Sequence, residues 1–271
     1  MADALPPVLE ELGHRARQRA DQLDRRTLLA QLRDAPSIVN LKLGPFGIIA
    51  EFKSASPSAG ALTAPGSRDT QVLAYAEGGA AAISVLTEPT RFGGSLDDLR
   101  AVAALVNRPV LRKDFVVDPL QVLEARAAGA SGVLLMACLL DDDPLVALVD
   151  KAGEHGLFVL AEAHDEAERA RVMDAFRRVG TSPDLGLVGI NTRDFTTLTT
   201  HLDRLAALAP PSTSTRPWVA ESGLSSPEDA AMASRLGYRL GLVGTALMRS
   251  DNPAQALRDL IAAGRRAREV A

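Results

Sequence analysis

Charged and amide side chains close several short apolar segments of this chain. They belong to the types that transfer protons and bind anions, namely carboxylates, lysines, an asparagine and an arginine. They are Glu51, Lys53, Lys113, Glu162, Asn191, Arg193 and Glu221. A lysine can bind an anionic substrate or donate a proton, and a carboxylate in a dry pocket can accept one. The pattern therefore indicates acid–base chemistry on an anionic substrate, provided that the fold gathers these side chains.

The two lysines carry a specific expectation. Lys53 and Lys113 each follow apolar residues, so we expect both at the rim of a sheet. Pairing with a carboxylate would explain one lysine at the rim but does not by itself explain two in one pocket. Anion binding and general-acid catalysis are therefore both open to them. Partial burial and a neighbouring cation lower the pKa of a lysine, which would make either a better proton donor near neutral pH. The residues alone do not rank the roles of the lysines and glutamates.

A phosphate site is predicted near the end of the chain. Glu221 is followed by Ser222 and Gly223, and the last apolar segment is followed by Gly244 and Thr245. Backbone N–H groups at such turns bind phosphate, and glycine lets the anion approach closely. A turn with a helix cap would contain the same residues, but the position after the seventh and eighth strands of a barrel favours a phosphate site.

Apolar runs and helical patterns alternate from residue 47 onward. The predicted strands are 47–52, 81–86, 109–113, 132–136, 157–162, 186–191, 217–221 and 240–243. The predicted helices are 68–78, 95–106, 118–128, 142–155, 165–179, 201–208, 226–236 and 253–267. Eight such units predict an α/β protein with a (β/α)₈ barrel, in which the strand ends meet at one mouth. A doubly wound sheet is disfavoured because no Gly-x-Gly-x-x-Gly follows the first strand.

Two features lie outside the regular alternation. Helical patterns over 7–22 and 25–33 precede the first strand, so we expect one barrel domain over 1–271 with residues 1–45 as an N-terminal helical extension. The segment from Ser54 to Ser67 is rich in Ser, Pro, Gly and Ala. Its length is typical of a functional lid, with a solvated connection as the alternative.

Composition narrows the class of protein. The 271 residues carry a net charge of −4 with dispersed Lys and Arg, so no nucleic-acid partner is expected. No apolar run is long enough to cross a membrane, and no signal peptide is evident, so we expect a cytoplasmic protein. The single cysteine, Cys138, is expected to be a buried apolar residue, and the four histidines structural or exposed. No spacing indicates a metal site, and the expected assembly is a monomer or weak homodimer.

Residues 51–60, Glu-Phe-Lys-Ser-Ala-Ser-Pro-Ser-Ala-Gly, closely resemble the signature after the first barrel strand in the indole-3-glycerol phosphate synthase family. The likeness spans roughly residues 45–265 at one motif per strand. Further motifs are 84–88, 92–95, 109–115, 124–130, 189–194 and 221–223. The resemblance implies a ring closure in tryptophan biosynthesis that needs no cofactor or metal. The small phosphorylated substrate, 1-(2-carboxyphenylamino)-1-deoxyribulose 5-phosphate, would give indole-3-glycerol phosphate, carbon dioxide and water.

The resemblance also implies roles for single residues. Lys113 would be the general acid on the ketone oxygen, and Glu162 would remove the anilino proton in the dehydration that follows. Lys53 would contact the substrate carboxylate, with Glu51 and Asn191 orienting these groups and the substrate hydroxyls. The implied substrate-binding residues are Glu221 at a hydroxyl, Arg193, Ser222, Gly223, Gly244 and Thr245 at the phosphate, Phe92 and Phe115 at the anthranilate ring, and Ser56 in the signature.

Departures from the family pattern keep other functions open. They are Thr245, Thr192, Ala161, Ala163 and a longer segment over 171–185. A specialised paralogue with a related phosphorylated substrate is one alternative. Phosphoribosylanthranilate isomerase is disfavoured, because it uses a Cys and an Asp whereas Cys138 follows the fourth strand and not the first. A catalytically silent barrel is disfavoured by the intact Lys53, Lys113 and Glu162.

Overall fold

Eight parallel strands close into a barrel in the computed structural model, which describes residues 5–53, 55–56, 60–61 and 67–269. The strands in chain order are β1 (Gly47–Phe52), β2 (Ala55–Ser56), β3 (Gly60–Ala61), β4 (Ala82–Leu86), β5 (Val110–Lys113), β6 (Gly132–Met136), β7 (Phe158–Ala163), β8 (Gly186–Asn191), β9 (Trp218–Glu221) and β10 (Leu240–Val243). The barrel follows chain order from β4 to β10 and closes where β1 pairs with both β4 and β10. The predicted (β/α)₈ fold is confirmed.

Helices surround the barrel and cover its outer face. They are α1 (Pro7–Ala20), α2 (Arg25–Gln31), α3 (Arg68–Glu77), α4 (Leu96–Leu105), α5 (Pro119–Ala127), α6 (Asp142–Glu154), α7 (Glu166–Val179), α8 (Asp203–Ala207), α9 (Pro227–Arg235), α10 (Thr245–Met248) and α11 (Pro253–Glu269). Among the helices of the described residues, we find none whose length and hydropathy suit a membrane span.

The predicted boundaries differ from the observed ones by at most one residue for strands and two for helices. Four of the five differences at helix starts have a common cause, and the fifth is α8, which begins two residues later than predicted and has no side-chain cap. Ser95, Asp118, Asp165 and Ser226 are N-cap residues, whose extended backbone lies just outside the helix while the side chain accepts a hydrogen bond from it. The sequence analysis did not predict the β2–β3 hairpin or the 3₁₀ turn over Ala137–Leu139.

Successive side chains of β5 point to opposite sides, so Arg112 has a structural position and Lys113 a position in the barrel mouth. Lys113 lies in the mouth, whereas Arg112 points outward and contacts the backbone oxygen of Gln121 and the carboxylate of Glu124 at 2.8 Å. Arg112 also donates to Asp114 at 3.0 Å. Burial alone would raise the pKa of Asp114, but Arg112 and Arg19 hold it below its usual range. The backbone on either side of Lys113 is thus held by buried ion pairs.

Helix α1 lies against the barrel mouth. Its apolar side, including Leu9, Leu12 and Ala16, is buried. Arg19, at its end, donates to Asp114 at 2.7 Å, and Glu11 pairs with Arg91 of the segment after β4. Helix α1 is therefore tied to residues that adjoin Lys113 and Phe92.

Two helical glycines provide a matched test of the packing at the barrel floor. A Cβ atom at Gly264 of α11 would overlap the buried ring of Phe46, whereas a Cβ at Gly153 of α6 would meet nothing within 4 Å. We expect Gly264→Ala to lower the free energy of unfolding by about 1–3 kcal/mol because it overpacks the core. Gly153→Ala should raise it by up to about 1 kcal/mol through helix propensity. Equal denaturation midpoints for the two variants would contradict this packing.

Candidate active site

The carboxyl ends of the barrel strands surround a cavity of about 910 Å³. Most of the residues singled out from the sequence line it. They are Glu51, Lys53, Phe92, Lys113, Asn191, Arg193, Glu221, Ser222, Gly223, Gly244 and Thr245. Val8 and Leu12 of α1 add apolar surface to the same cavity. The fold thus brings cations, carboxylates and apolar walls together at one opening.

Three predicted site residues do not belong to this lining. Glu162 is fully buried behind it, close enough to Lys113 and Glu221 to affect the pKa of each. Phe115 is 5% exposed and packs behind Phe92, with the ring centroids 6.3 Å apart. The Ser56 backbone belongs to β2, but its side chain lies outside the described part of the chain, as do Pro57 and Ser58 of the signature.

Glu51 connects the two lysines. Its Oε1 atom accepts a hydrogen bond from Lys53 Nζ at 2.9 Å, and its Oε2 atom lies 3.8 Å from Lys113 Nζ. Burial alone would raise the pKa of Glu51, but the two lysines lower it overall, so the group is a carboxylate at neutral pH. Gly244 makes room for this arrangement, since a Cβ there would lie 2.5 Å from Glu51 Oε1 and 3.1 Å from Lys53 Nζ.

The electrostatic environment of Lys113 differs from the expectation. Burial acts to lower its pKa, as does the nearby Arg193, but the carboxylates of Glu51, Glu162 and Glu221 act more strongly. The net effect raises the pKa of Lys113 above the ordinary lysine value. The sequence-based expectation of a lowered value was wrong, because it counted the neighbouring cation and not the three carboxylates. Lys113 therefore holds its proton throughout the neutral range.

Glu162 and Glu221 form a buried carboxyl pair. Both side chains are almost fully excluded from solvent, and the strand register places Glu162 opposite Gly189 and Glu221 opposite Asn191. A Cβ at Gly189 would overlap Glu221 Oε1, so glycine makes room for the second carboxyl group. Burial and the Glu162 charge raise the pKa of Glu221 well above its usual range, although Lys113 opposes them. Glu221 is therefore more readily protonated than an ordinary glutamate.

His164 is a neighbour of this pair that the sequence analysis missed. Its Nε2 atom lies 3.3 Å from Glu162 Oε1, and its Nδ1 atom lies 3.1 Å from Glu168 Oε2. Only 15% of the side chain is exposed, so the ring is not a surface group. The available signal was spacing, because His164 directly follows β7 and lies two residues after Glu162, the interval at which side chains along a strand project to the same side. Burial acts to lower the pKa of His164, but the bond to Glu168 and the charge of Glu162 raise it overall.

Cys138 lies beside His164 and Glu168, in the 3₁₀ turn after β6. Within the described ranges, the Sγ atom and the nearest ligand atoms of the other two lie within 4.8 Å of one another. The sequence spacing did not indicate this group of three potential metal ligands. Burial raises the pKa of the Cys138 thiol, as do Glu168 and Glu162, so the thiolate form that binds metals is disfavoured.

The opposite end of the cavity has the features of an anion site. Ser222 and Gly223 both have left-handed backbone, with φ of 65° and 80°. Such a conformation is uncommon for serine and occurs often at ligand-binding turns. Thr192 Oγ1 anchors this turn by donating to the backbone oxygen of Ser222 at 3.0 Å. Arg249, which follows α10 and was not predicted, lines the same end of the cavity.

Arg193 is held at the edge of the cavity by its own loop. Its Nη1 atom donates to the backbone oxygen of Leu198 at 3.1 Å, and its backbone N–H donates to Asn191 Oδ1 at 2.9 Å. Leu198 also has left-handed backbone, with φ of 60°. The loop after β8 thus fixes both the amide of Asn191 and the guanidinium of Arg193.

Solved structures resemble this barrel at low sequence identity. One is 3-hexulose-6-phosphate synthase from Salmonella typhimurium, with a TM-score of 0.62 and 16% identity over 82% of this chain and 100% of the other. A second is thiamine phosphate pyrophosphorylase from Pyrococcus furiosus, with a TM-score of 0.57 and 16% identity over 82% of this chain and 97% of the other. At such identities the likeness supports the fold alone.

Sequence relatives match far more closely. An indole-3-glycerol phosphate synthase of Nocardioides sp. is 45% identical over 93% of this chain and 96% of its own length. One from Kineococcus radiotolerans is 44% identical over 95% of this chain and 88% of its own length. The family model described as indole-3-glycerol phosphate synthase matches residues 8–260, which include every strand of the barrel. With this mouth and these relatives, the chain belongs to the indole-3-glycerol phosphate synthase family.

Proposed function

We propose that this chain closes the indole ring of indole-3-glycerol phosphate, with the residues of the barrel mouth in the roles described below. The substrate is 1-(2-carboxyphenylamino)-1-deoxyribulose 5-phosphate. The aryl carbon that bears the carboxylate bonds to the ketone carbon, carbon dioxide leaves, and water is then eliminated. No atom is oxidised or reduced by an outside agent, so we propose that no redox cofactor or metal takes part. The observation that best supports this proposal is the Glu51 carboxylate between two lysines in a mouth that also holds a carboxyl pair.

Lys113 is the proposed general acid of the ring closure. As the aryl carbon attacks, the ketone oxygen becomes an alkoxide, which is more basic than an amine. An ammonium group can therefore protonate it even though the carboxylates raise the pKa of Lys113. Lys53 donates a hydrogen bond to Glu51. It is proposed to bind the substrate carboxylate and so to hold this group in place until it leaves the aryl carbon as carbon dioxide.

Glu162 is the proposed base of the dehydration. It takes the anilino proton while the carbinol oxygen leaves as water with a proton from a lysine ammonium. A proton shift from the adjacent carbon to nitrogen then completes the indole. Glu221, whose pKa is raised by burial and by Glu162, is proposed to hydrogen-bond a substrate hydroxyl, and Asn191 to orient the same part of the substrate.

Phosphate and aryl ends are proposed to be held apart by opposite walls of the cavity. The phosphate would contact Arg193, Ser222, Gly223, Gly244 and Thr245, and the aryl ring would pack against Phe92, with Phe115 supporting Phe92 from behind. The signature residue Ser56 is proposed to bind substrate as well. Fixing both ends of a flexible substrate makes the ring closure effectively intramolecular, which can remove several kcal/mol from the barrier.

We also propose a context for this activity. Because the residues proposed for the site come from one chain, a monomer or weak homodimer suffices, and residues 1–45 are proposed as an extension of a single barrel domain. The proposed location is the cytoplasm, and no nucleic-acid partner is proposed for a chain of net charge −4.

The acid role of Lys113 has a direct test. Lys113→Met removes the proton but keeps most of the aliphatic volume, so we expect turnover to fall by about 10²–10⁴-fold. The measurement is indole fluorescence after addition of the carboxyphenylamino substrate. Lys42→Met, at an exposed position before β1, is the matched control and should retain normal turnover. Turnover of Lys113→Met within about twofold of the control would exclude the acid role.

The base role of Glu162 predicts a separation of two products in time. Glu162→Gln should still release carbon dioxide, since decarboxylation precedes the step that needs the base. The rate at which indole fluorescence appears should be lower than the rate of carbon dioxide release by about 10²-fold or more. Glu166→Gln, at an exposed position in the first turn of α7, is the control and should show no lag. Simultaneous loss of both signals in Glu162→Gln would place its role before decarboxylation and contradict the assignment.

A further inference from the structure

Glu88 is a buried polar side chain for which the proposed reaction has no direct use. It lies two residues after β4, its side chain is fully excluded from solvent, and it does not line the cavity. Burying a polar side chain is costly unless it is hydrogen-bonded, so the partners of Glu88 indicate what it holds in place.

The hydrogen bonds of Glu88 go to the short loop that carries Phe92. Glu88 Oε1 accepts from the backbone N–H of Thr90 at 2.9 Å and from the hydroxyl of the same residue. Glu88 Oε2 accepts from the backbone N–H groups of Arg91 at 2.7 Å and Phe92 at 3.2 Å. One side chain therefore fixes three consecutive peptide groups, and the last of them belongs to an aromatic residue of the cavity wall.

The two ends of this loop are also held. The backbone oxygen of Glu88 accepts from the N–H of Gly94 at 2.9 Å. A Cβ atom at Gly94 would lie 2.2 Å from the backbone oxygen of Leu86, so the chain returns directly over the end of β4. Ser95 then caps α4 by accepting from the backbone N–H of Asp98 at 3.0 Å. With its ends anchored, the loop depends on the Glu88 side chain for the path of its middle.

Phe115, the ring behind Phe92, is held in a similar way. Its backbone N–H donates to Asp114 Oδ1 at 2.8 Å, and the centroids of the two rings are 6.3 Å apart. Thr87, next to Glu88, donates its hydroxyl to Asp114 Oδ2 at 2.8 Å. The two aromatic residues at the aryl end of the cavity therefore depend on two buried acidic side chains that follow neighbouring strands, β4 and β5.

Arg19 of α1 joins these two acidic side chains. Its Nη2 atom donates to Asp114 Oδ1 at 2.7 Å, and its Nη1 atom lies 3.8 Å from Glu88 Oε1. Arg91 of the loop pairs with Glu11, which lies earlier in α1. Helix α1 thus supports the loop of Phe92 from outside the cavity.

We propose that Glu88 is a positioning residue that holds the ring of Phe92 at the aryl end of the cavity, with Arg19 tying it to Asp114 and so to Phe115. This inference rests on the proposed function, in which Phe92 contacts the aryl ring of the substrate. Without both Glu88 oxygens, the N–H groups of residues 90–92 turn toward other acceptors, and the Phe92 ring leaves its place. The aryl end of the substrate is then bound more weakly, whereas the residues proposed for the phosphate keep their positions.

The test compares a ligand that has the aryl ring with one that lacks it. Glu88→Gln keeps the size of the side chain but replaces one acceptor oxygen with an amide NH₂ group, which cannot accept from a backbone N–H. The measurements are KM and kcat for the carboxyphenylamino substrate and the inhibition constant of ribulose 5-phosphate, which has no aryl ring. We expect KM to rise about tenfold, as for the loss of a well-placed aromatic contact, and kcat to change by less than about threefold. The inhibition constant of ribulose 5-phosphate should stay as in the wild type.

Two comparisons separate this role from a general loss of stability. Gly264→Ala overpacks the barrel floor away from the cavity, and it should leave both KM and the inhibition constant unchanged. Phe92→Ala removes the ring through which Glu88 is proposed to act. Adding Glu88→Gln to Phe92→Ala should therefore change KM by less than about twofold, because the effects of residues that act as a unit are not additive.

Arg19→Met keeps the inference testable even if Glu88→Gln does not fold, since the Arg19 side chain is 28% exposed. It should raise KM by about threefold and leave the inhibition constant of ribulose 5-phosphate unchanged. Arg17→Met, at an exposed position of the same helix, is its control and should have no effect.

Three results would overturn the inference. One is a KM within about 1.5-fold of wild type in both Glu88→Gln and Arg19→Met. Another is an equal weakening of the substrate and of ribulose 5-phosphate. The third is an undiminished effect of Glu88→Gln when Phe92 is already replaced by alanine.

The outcome for the parent reaction is read separately. If wild-type protein yields neither carbon dioxide nor indole fluorescence, the proposed function fails. If the wild type yields both and Glu88→Gln retains the wild-type KM, only the role of Glu88 fails.

Discussion

The buried carboxylate of Glu51 and the lysines on either side of it are the interaction on which the site depends. Two ammonium groups in a partly dry cavity repel each other, and burial penalises both charges. Glu51 offsets these costs by contacting Lys53 at 2.9 Å and Lys113 at 3.8 Å. With Glu162 and Glu221 it raises the pKa of Lys113, so the site keeps a proton ready for an oxygen that becomes strongly basic during the reaction.

Two features of the barrel allow this arrangement, namely the register of its strands and glycine residues that leave space for the charged side chains. Parallel pairing brings Glu162 opposite Gly189 and Asn191 opposite Glu221, so that polar groups from distant segments meet at one level. Gly244 and Gly189 leave the space that Glu51 and Glu221 occupy. Gly244 was assigned to the phosphate from the sequence, and it has a second role because β1 and β10 are neighbouring strands and a side chain at Gly244 would displace the Glu51–Lys53 pair. Buried ion pairs through Arg112 and Asp114 hold the backbone on both sides of Lys113.

The sequence was sufficient for the fold because parallel strands covered by helices are continuous apolar runs, and each run ended where the strand ended. It also predicted that Glu51, Lys53 and Lys113 share a mouth, since strand ends of a barrel meet at one face. It did not predict the pKa of Lys113, which depends on how many carboxylates lie near it in space. The contact of His164 with Glu162 was missed for a related reason. Glu162 lies in β7 and His164 directly after it, so spacing makes them neighbours, but the contact of the ring with Glu168 of α7 is needed to hold it beside the carboxylate.

The account depends on the charge of Glu51 acting on Lys113, and the pH dependence of ring closure tests this most directly. Glu51→Gln keeps the shape of the side chain but removes its charge, so burial should then lower the pKa of Lys113 relative to wild type. The rate of carbon dioxide release falls at high pH where Lys113 loses its proton. We expect this alkaline limb to move to lower pH in Glu51→Gln. An alkaline limb at the same pH in both proteins would contradict the account.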